Sequence, residues 1–234
     1  MVTHSQIDKI LNTLAKTQGT TTMLSRMGQK YEPYKVLIST ILSARAKDEV
    51  TEVVAEDLFK KYPNAKSLAN AKPSEVKKII HRIGFFNAKT KNVIGAAKML
   101  LSDFNGKVPD TLEQLIELPG VGRKVANCVL VYSFAKDAIP VDIHVHRISN
   151  RLGWVKTKAP EETEQKLMQR VPRKRWQILN DTLVAHGKTI CAPISPKCSV
   201  CPISKYCKRV GVTLEYLTDK ISRAEQEHDQ SQCA

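Results

Sequence analysis

The chain has 234 residues, of which 42% are hydrophobic, and this is enough apolar material for a buried core in one large or two small domains. Its 37 Lys and Arg residues against 23 Asp and Glu residues give a formal net charge of +14. This excess predicts an anionic partner and favours nucleic acid, although charge alone also fits a merely soluble basic protein. The chain has no long apolar run, and its first residues lack the pattern of a signal peptide. Neither a membrane span nor secretion is therefore predicted.

Apolar residues recur at helical spacing along most of the chain and show no sustained strand-like alternation. The first such stripe consists of Ile7, Ile10, Leu11 and Leu14. The pattern predicts an all-α protein of roughly ten helices. We expect Ser5, Asp48 and Asp110 to cap three of them.

A glycine-containing turn joins two amphipathic stretches at residues 118–124, whose sequence is LPGVGRK. The two glycines permit a tight turn with outward-pointing N–H groups at the start of a helix. Such donors fit a DNA backbone phosphate without reading the base sequence. An ordinary connection between helices is the alternative for such a short pattern. Because a basic pair follows, we expect DNA binding by Gly120, Val121, Gly122 and Arg123.

Four of the six cysteines fall within one short segment with the spacing C-x6-C-x2-C-x5-C, namely Cys191, Cys198, Cys201 and Cys207. This clustering is typical of a metal site rather than of a disulfide framework. Four thiolates suit structural zinc as well as an iron–sulfur cluster. Zinc sites usually have two close pairs of ligands, whereas this segment has one. Cys128 is expected to be a buried core residue and Cys233 a tail thiol.

Together these motifs resemble those of the helix-hairpin-helix DNA glycosylases, in particular the endonuclease III family. The resemblance covers about residues 5–210 and keeps the family's order. The matching segments are LPGVGRK at 118–124, VDIHVHR at 141–147, NR at 150–151, AHG at 185–187 and the cysteine segment. The resemblance implies that the four cysteines hold a [4Fe-4S] cluster.

The resemblance also implies two helical lobes that flank a DNA-binding cleft. The central lobe carries the helix-hairpin-helix motif, and the second lobe carries the iron–sulfur loop. The implied ranges are 25–135 for the central lobe, about 112–133 for the motif, 1–24 plus 136–211 for the second lobe, 191–207 for the loop and 212–234 for a polar C-terminal tail.

Lys124 stands in the first turn of the helix that follows the glycine turn. Taken alone, a lysine here would most simply contact a phosphate. The resemblance implies instead that it attacks the deoxyribose, displaces the base and forms a Schiff base that leads to β-elimination. Asp142 precedes the apolar positions of the next helix and is expected to cap it. The resemblance gives Asp142 a catalytic role beside Lys124, either stabilising positive charge on the sugar or deprotonating the amine.

The segment SARAKD at residues 43–48 resembles the part of the family that surrounds the lesion. The resemblance implies that Ser43 and Asp48 line the lesion pocket. Arg45 stands where the family residue, commonly glutamine, fills the gap left by the flipped base. Its guanidinium is expected to fill the stack or to hydrogen-bond the orphan base, which affects damage preference rather than reaction type.

The function implied by the resemblance is that of a bifunctional DNA glycosylase and AP lyase of base excision repair. Its expected substrates are oxidised pyrimidines and abasic sites in double-stranded DNA. A monomer is expected, in the cytoplasm and associated with the nucleoid. A monofunctional mismatch glycosylase is one alternative, although such family members lack a lysine at the position of Lys124. A non-catalytic iron–sulfur DNA-binding protein is the other.

Overall fold

The structure is a computed structural model that describes residues 2–18 and 22–212. Within these ranges the secondary structure is entirely helical. No helix among the described residues is long and apolar enough to span a membrane. Apart from Val212, the polar tail expected at 212–234, with Cys233, lies outside the described residues.

The chain divides into two compact units. The central unit comprises the described residues of Thr21–Pro140, and the terminal unit comprises those of Met1–Thr20 and Val141–Ala234. The glycine-containing turn at residues 118–124, which we call the hairpin, therefore belongs to the central unit, and the cysteine segment belongs to the terminal unit.

The central unit contains eight α-helices around a single apolar core. Their bounds are α2 (Met23–Lys30), α3 (Pro33–Ser43), α4 (Asp48–Lys61), α5 (Ala65–Ala69), α6 (Pro73–Ile80), α7 (Phe86–Asp103), α8 (Leu112–Glu117) and α9 (Arg123–Phe134). Helix α3 is buried along most of its length and packs against α9, α4 and α7. It therefore forms the centre of this unit.

Two of the caps predicted in the central unit are wrong. The cap of α4 is Lys47, and Asp48 is the first residue of the helix itself. Thr111 caps α8, while the carboxylate of Asp110 pairs with Lys136 at 2.7 Å. Helix α4 begins one residue before the predicted position, so Asp48 lies in its first turn, where a carboxylate interacts favourably with the helix dipole. Helix α8 begins one residue after the predicted position, and Asp110 pairs with Lys136 instead of capping it.

The terminal unit contains four α-helices and three short 3₁₀ turns. The α-helices are α1 (His4–Gln18), α10 (Ile143–Arg151), α11 (Pro160–Arg170) and α12 (Trp176–Thr189). The 3₁₀ turns are Arg173–Arg175, Cys198–Val200 and Ser204–Tyr206. Helices α1 and α10 both pack on α12. The prediction that Ser5 caps α1 is wrong, because the helix already includes His4 and the Oγ1 of Thr3 accepts the N–H of Gln6 at 3.3 Å.

Candidate active site

The turn between α8 and α9 is anchored in the core of the central unit. Leu118 and Val121 are buried on either side of Gly120. Gly120 has φ +80°, and a Cβ added to it would lie 2.7 Å from the Cβ of Asn92 on α7. Glycine is therefore required here both for the left-handed backbone and for the close approach of a neighbouring helix.

Gly122 plays a different role in the same turn. It is the N-cap of α9 with φ −90°, and it has no side chain to cap the helix. A Cβ at this position would meet no protein atom within 4 Å. Gly120 therefore has a positive φ, whereas Gly122 does not. The exposed glycine leaves the positive end of the helix dipole open to an approaching anion.

Lys124 is the second residue of α9 and is partly buried, as is the preceding Arg123. The position of Lys124 follows from the local sequence, because α9 begins immediately after its N-cap, Gly122. The side chain of Lys124 thus starts within one helical turn of the exposed N-terminal amides of α9. A group bound at those amides would be within reach of a lysine side chain.

Arg45 lies in the connection between α3 and α4 and contacts the loop before α7. The backbone of Arg45 has φ 53°, and that of Phe85, in the loop before α7, has φ 61°. The guanidinium carbon of Arg45 lies 5.8 Å from the centroid of the Phe85 ring, which is a cation–π arrangement. Phe85 is 64% exposed, and left-handed conformations are uncommon for such residues. The two strained loops therefore present an exposed arginine–aromatic pair, which is typical of functional sites.

Ser43 and Asp48 flank Arg45 in this connection. Ser43 ends α3, where its hydroxyl donates to the carbonyl of Thr40 at 2.9 Å, and Asp48 begins α4. The N–H of Ala46 donates to the carbonyl of Ser43 at 3.0 Å and closes the turn. The three residues predicted for the lesion pocket and the gap thus lie at the end of α3, in the connection and at the start of α4.

Asp142 caps α10 in the terminal unit, as predicted. Its Oδ1 accepts hydrogen bonds from the backbone N–H groups of His144 at 2.9 Å and Val145 at 2.8 Å. Both capping bonds use the same oxygen. Within the described ranges Oδ2 accepts none, so the cap does not occupy the whole carboxylate.

The four clustered cysteines line one cavity of the terminal unit. They form no disulfide among the described residues, and each is partly buried. Burial raises the pKa of the Cys201 and Cys207 thiols, so forming their thiolates has an energetic cost. A bound cationic group would offset this cost. In the described part of the chain, no three His, Cys, Asp or Glu side chains are arranged to hold a single metal ion. The thiols surround a space instead.

Two arginines one turn apart on α10 hold the start of the cysteine segment. Arg147 donates to the carbonyl of Cys191 from Nη2 at 2.8 Å and from Nε at 3.3 Å. Arg151 donates to the carbonyls of Ala192 at 2.6 Å and Pro193 at 2.7 Å, and its Nη1 lies 3.4 Å from the Cys191 sulfur. The helix capped by Asp142 is therefore bonded directly to the cysteine segment.

Nitrogen atoms also approach two other sulfurs. His186 Nε2 lies 3.8 Å from the Cys201 sulfur, and the backbone N–H of Arg209 donates to the Cys207 sulfur at 3.4 Å. Burial lowers the pKa of His186 to about 4, so this imidazole is neutral at pH 7. Donors around thiolates are the usual surroundings of a metal-bound sulfur. This donor set fits a thiolate-bound metal group.

Comparisons with known proteins identify relatives of the chain. Residues 38–173 match the family of HhH-GPD superfamily base excision DNA repair proteins. The chain is 44% identical over 183 residues to endonuclease III of Thermotoga maritima, which covers 78% of this chain and 86% of the relative. The chain belongs to the endonuclease III family.

Two solved structures show the same fold. A structure described as a trapped endonuclease III–DNA covalent intermediate, in an estranged-adenine complex, is 33% identical with a TM-score of 0.81. The match covers 89% of this chain and 97% of the chain in that structure. A thermostable thymine-DNA glycosylase is 26% identical with a TM-score of 0.75, over 87% of this chain and 94% of its own.

These comparisons confirm the predicted all-α fold and the resemblance to endonuclease III. The chain is therefore a base excision repair enzyme and a DNA glycosylase. Membership of the family also separates it from a protein that only binds DNA.

Proposed function

We propose that this enzyme is both a DNA glycosylase and an AP lyase, with Lys124 as nucleophile and Asp142 as its partner. The observation that carries the proposal is the position of Lys124 in the first turn of α9, directly after the exposed Gly122 cap. A DNA phosphate at the hairpin amides would bring the adjoining sugar near the amine. A relative trapped as a covalent intermediate with DNA supports the same chemistry.

In the proposed reaction the lone pair of the Lys124 amine attacks C1′ of the damaged nucleotide. The glycosidic bond breaks, the base leaves with the bonding electrons and a proton, and the sugar ring opens to an imine with the lysine. Removal of a proton from C2′ then expels the 3′ phosphate by β-elimination, and water releases the enzyme. Asp142 stabilises the positive charge that develops on the sugar, through a carboxylate whose Oδ2 is not used in the helix cap.

We further propose that Arg45 and Phe85 act together where the flipped base leaves its gap. Phe85 holds the guanidinium beside its ring, so Arg45 is presented to the orphan base in a defined direction. Ser43 and Asp48 would line the lesion pocket on either side. Oxidised pyrimidines in double-stranded DNA are the proposed lesions. We propose that the enzyme acts as a monomer in the cytoplasm, where it associates with the nucleoid.

A [4Fe-4S] cluster is the proposed ligand of Cys191, Cys198, Cys201 and Cys207. Endonuclease III enzymes are known for this group, and the shared cavity with its nitrogen donors supports it here. When bound, the cluster supplies a rigid structural centre for the loop. The proposal predicts a yellow-brown protein with about four iron atoms per chain. Zinc without iron after anaerobic purification would contradict it.

The cluster loop is proposed to dock DNA rather than to take part in the reaction. Cys201→Ser should therefore weaken duplex binding more than it slows the single-turnover reaction at saturating enzyme. Equal affinity with a lost single-turnover rate would show that the loop acts on the chemistry.

The lyase proposal is tested by two variants on two substrates. Lys124→Gln should abolish strand cleavage both of a duplex with an oxidised pyrimidine and of a duplex with a preformed abasic site. Asp142→Asn keeps the capping geometry but removes the charge, so base excision should slow strongly while cleavage at the abasic site suffers less.

Arg123→Gln is the matched control, because it also removes one positive charge from the first turn of α9. It should weaken binding and retain cleavage at saturating enzyme. If Lys124→Gln still excised the base and failed only to cut the strand, the enzyme would be a monofunctional glycosylase. The thymine-DNA glycosylase among the structural neighbours makes this second candidate worth testing.

Opposite-base preference provides the test of Arg45. A panel of duplexes with one defined lesion opposite each base should give a different ranking for the wild-type enzyme and for Arg45→Gln. Phe85→Leu should shift the ranking in the same direction, because it removes the ring that holds the guanidinium. An unchanged profile in both variants would contradict the proposed role of the pair.

A further inference from the structure

A recess of about 390 Å³ opens on the terminal unit at the C-terminal end of α10. Its wall comes from three stretches of chain: the end of α10 with the loop after it, helix α11 and the segment after the last clustered cysteine. The lining residues are Asn150, Gly153, Trp154, Val155, Lys156, Lys166, Arg170, Lys208 and Val210. We refer to it as the basic recess.

The lining carries four basic side chains and no acidic one among the described residues. Lys166 is already engaged, because its Nζ pairs with Glu162 at 2.8 Å and donates to the carbonyl of Lys156 at 3.0 Å. The side chains of Lys156, Arg170 and Lys208 form no ion pair with another described residue. Three cations with no ion-pair partner in the described structure therefore line one concave surface, which gives it a positive potential that favours an anion.

Lys208 is held in place by the backbone on which it lies. Gly153 has φ +72°, and a Cβ added there would lie 2.4 Å from Cδ of Lys208. The glycine thus leaves room for the aliphatic part of the lysine to lie across the main chain. This packing against Gly153 reduces the conformational entropy that Lys208 would lose on binding an anion. Lys208 is thereby distinguished from a freely solvated surface lysine.

Trp154 contributes a second, uncharged feature to the same wall. The residue is 2% exposed, and its indole Nε1–H has no hydrogen-bond partner in the described structure. Buried indole donors normally find an acceptor. An oxygen-rich ligand seated in the recess would bring acceptors to this part of the wall.

The recess is separated from Asp142 within the terminal unit. Asp142 caps the N-terminal end of α10, whereas the recess lies at the other end of this 9-residue helix. At about 1.5 Å per residue, the two sites are roughly 14 Å apart along the helix. A ligand in the recess would therefore leave the Asp142 carboxylate uncovered.

We propose that the basic recess is an anion site that binds a short chain of phosphate groups. A volume of about 390 Å³ lies within the range of small-ligand pockets and exceeds the size of one phosphate. The cations on three different stretches suit several phosphates in series, because each lysine or arginine can meet a separate group. The phosphates can come from a free oligophosphate or from the backbone of a second DNA segment.

The test measures inorganic tripolyphosphate binding to protein that is already saturated with an abasic-analogue duplex, so that the hairpin is occupied. Isothermal titration calorimetry should show one tripolyphosphate per chain. The double variant Lys156→Ala/Arg170→Ala should weaken this binding roughly tenfold or more, because two charge-assisted contacts are lost. Lys158→Ala removes an exposed lysine of the same loop that does not line the recess, and it should change the affinity by less than about twofold.

Excess undamaged duplex distinguishes the two phosphate sources. If native mass spectrometry shows a second duplex on the wild-type protein and not on the double variant, the recess binds a DNA backbone. Tripolyphosphate binding without a second duplex assigns the site to a free oligophosphate. If neither ligand binds, or if the double variant binds both as well as the Lys158→Ala control does, the proposal is wrong. Unchanged cleavage of an abasic duplex by the double variant would show that it is folded.

Discussion

The hairpin and the cysteine segment are both short irregular stretches beside a helix of the DNA-repair fold, but they are stabilised in opposite ways. The hairpin is shaped by packing: Leu118 and Val121 are buried, and Gly120 lies directly against Asn92. The cysteine segment contains little apolar anchorage beyond Ile203, which is 1% exposed. Its carbonyls accept hydrogen bonds from Arg147 and Arg151 instead, and Arg151 also contacts the Cys191 sulfur.

This difference has a consequence for folding. A packed turn keeps its shape without a ligand, since close contacts and a restricted backbone fix it. A segment held by charged donors and four thiols depends on the group that those thiols bind. We therefore expect the hairpin to be present in the metal-free protein, whereas the cysteine segment should not be ordered without the proposed cluster.

Arg151→Met should have the largest effect on stability among the variants that separate the two regions. It removes donors to the carbonyls of Ala192 and Pro193 and a contact to the Cys191 sulfur. The loss should amount to roughly 3 kcal/mol or more, because charge-assisted bonds are lost from a buried side chain. Thermal unfolding and iron content measure it. Lys197→Met, at an exposed position of the same segment, should leave both nearly unchanged.

Gly120→Ala should be the most damaging substitution in the hairpin. It places a Cβ 2.7 Å from Asn92 on a backbone with φ +80°, so both sterics and conformation oppose it. We expect the free energy of unfolding to fall by roughly 2 kcal/mol, without loss of iron from the cysteine segment. Simultaneous loss of iron would show that the two regions are not stabilised independently.

A buried lysine of the central unit predicts a pH-dependent gain of stability. Lys89 on α7 is 4% exposed, its Nζ has no hydrogen-bond partner in the described structure, and burial lowers its pKa from 10.5 to about 8. Below pH 8 the lysine is charged in the folded and unfolded protein, and the full burial penalty applies. Between pH 8 and 10.5 the unfolded chain binds more protons, so stability rises with pH.

Lys89→Met removes this penalty and should therefore stabilise the protein by roughly 2–3 kcal/mol at pH 7. The gain should shrink as the pH rises from 8 towards 10.5. Urea unfolding at several pH values measures the change. Lys91→Met, at an exposed position of the same helix, should show no such trend. A destabilised Lys89→Met protein would mean that the amine has a favourable partner.

Gly122→Ala should have the smallest effect on stability and should act on DNA binding instead. Its Cβ meets no protein atom within 4 Å, so the free energy of unfolding should change by less than about 1 kcal/mol. Close approach of a phosphate should become harder, and affinity should fall severalfold for damaged and undamaged duplexes alike. Fluorescence anisotropy with both duplexes measures this. A loss confined to damaged DNA would indicate that the hairpin recognises the lesion.

Local features of the molecule could be predicted from the sequence. Asp142 was expected to cap α10, and the cap is present because its hydrogen bonds lie within three residues. The helical class followed from the same short-range periodicity. The cap of α8 was misplaced by one residue, since Asp110 and Thr111 are both good caps and the contact of Asp110 with Lys136 is long-range.

Contacts between distant segments could not be read from the sequence. Arg151 belongs to a motif that supported the family resemblance, yet its bonds to Ala192 and Pro193 bridge about forty residues. Phe85 was missed for the same reason, because its contact with Arg45 depends on two left-handed backbones in separate loops. The sequence does not distinguish the two glycines of the turn, and only the fold shows that Gly120 contacts protein while Gly122 is open.

The most direct test of the proposed chemistry is borohydride trapping of the enzyme on a duplex with an abasic site. A Schiff base with Lys124 would be reduced to a stable secondary amine, and peptide mapping of the adduct would locate the modified residue. The account predicts the adduct on Lys124 and its disappearance in Lys124→Gln, with binding largely retained. If Lys124→Gln is trapped at the wild-type rate, the nucleophile lies elsewhere and the proposed mechanism is wrong.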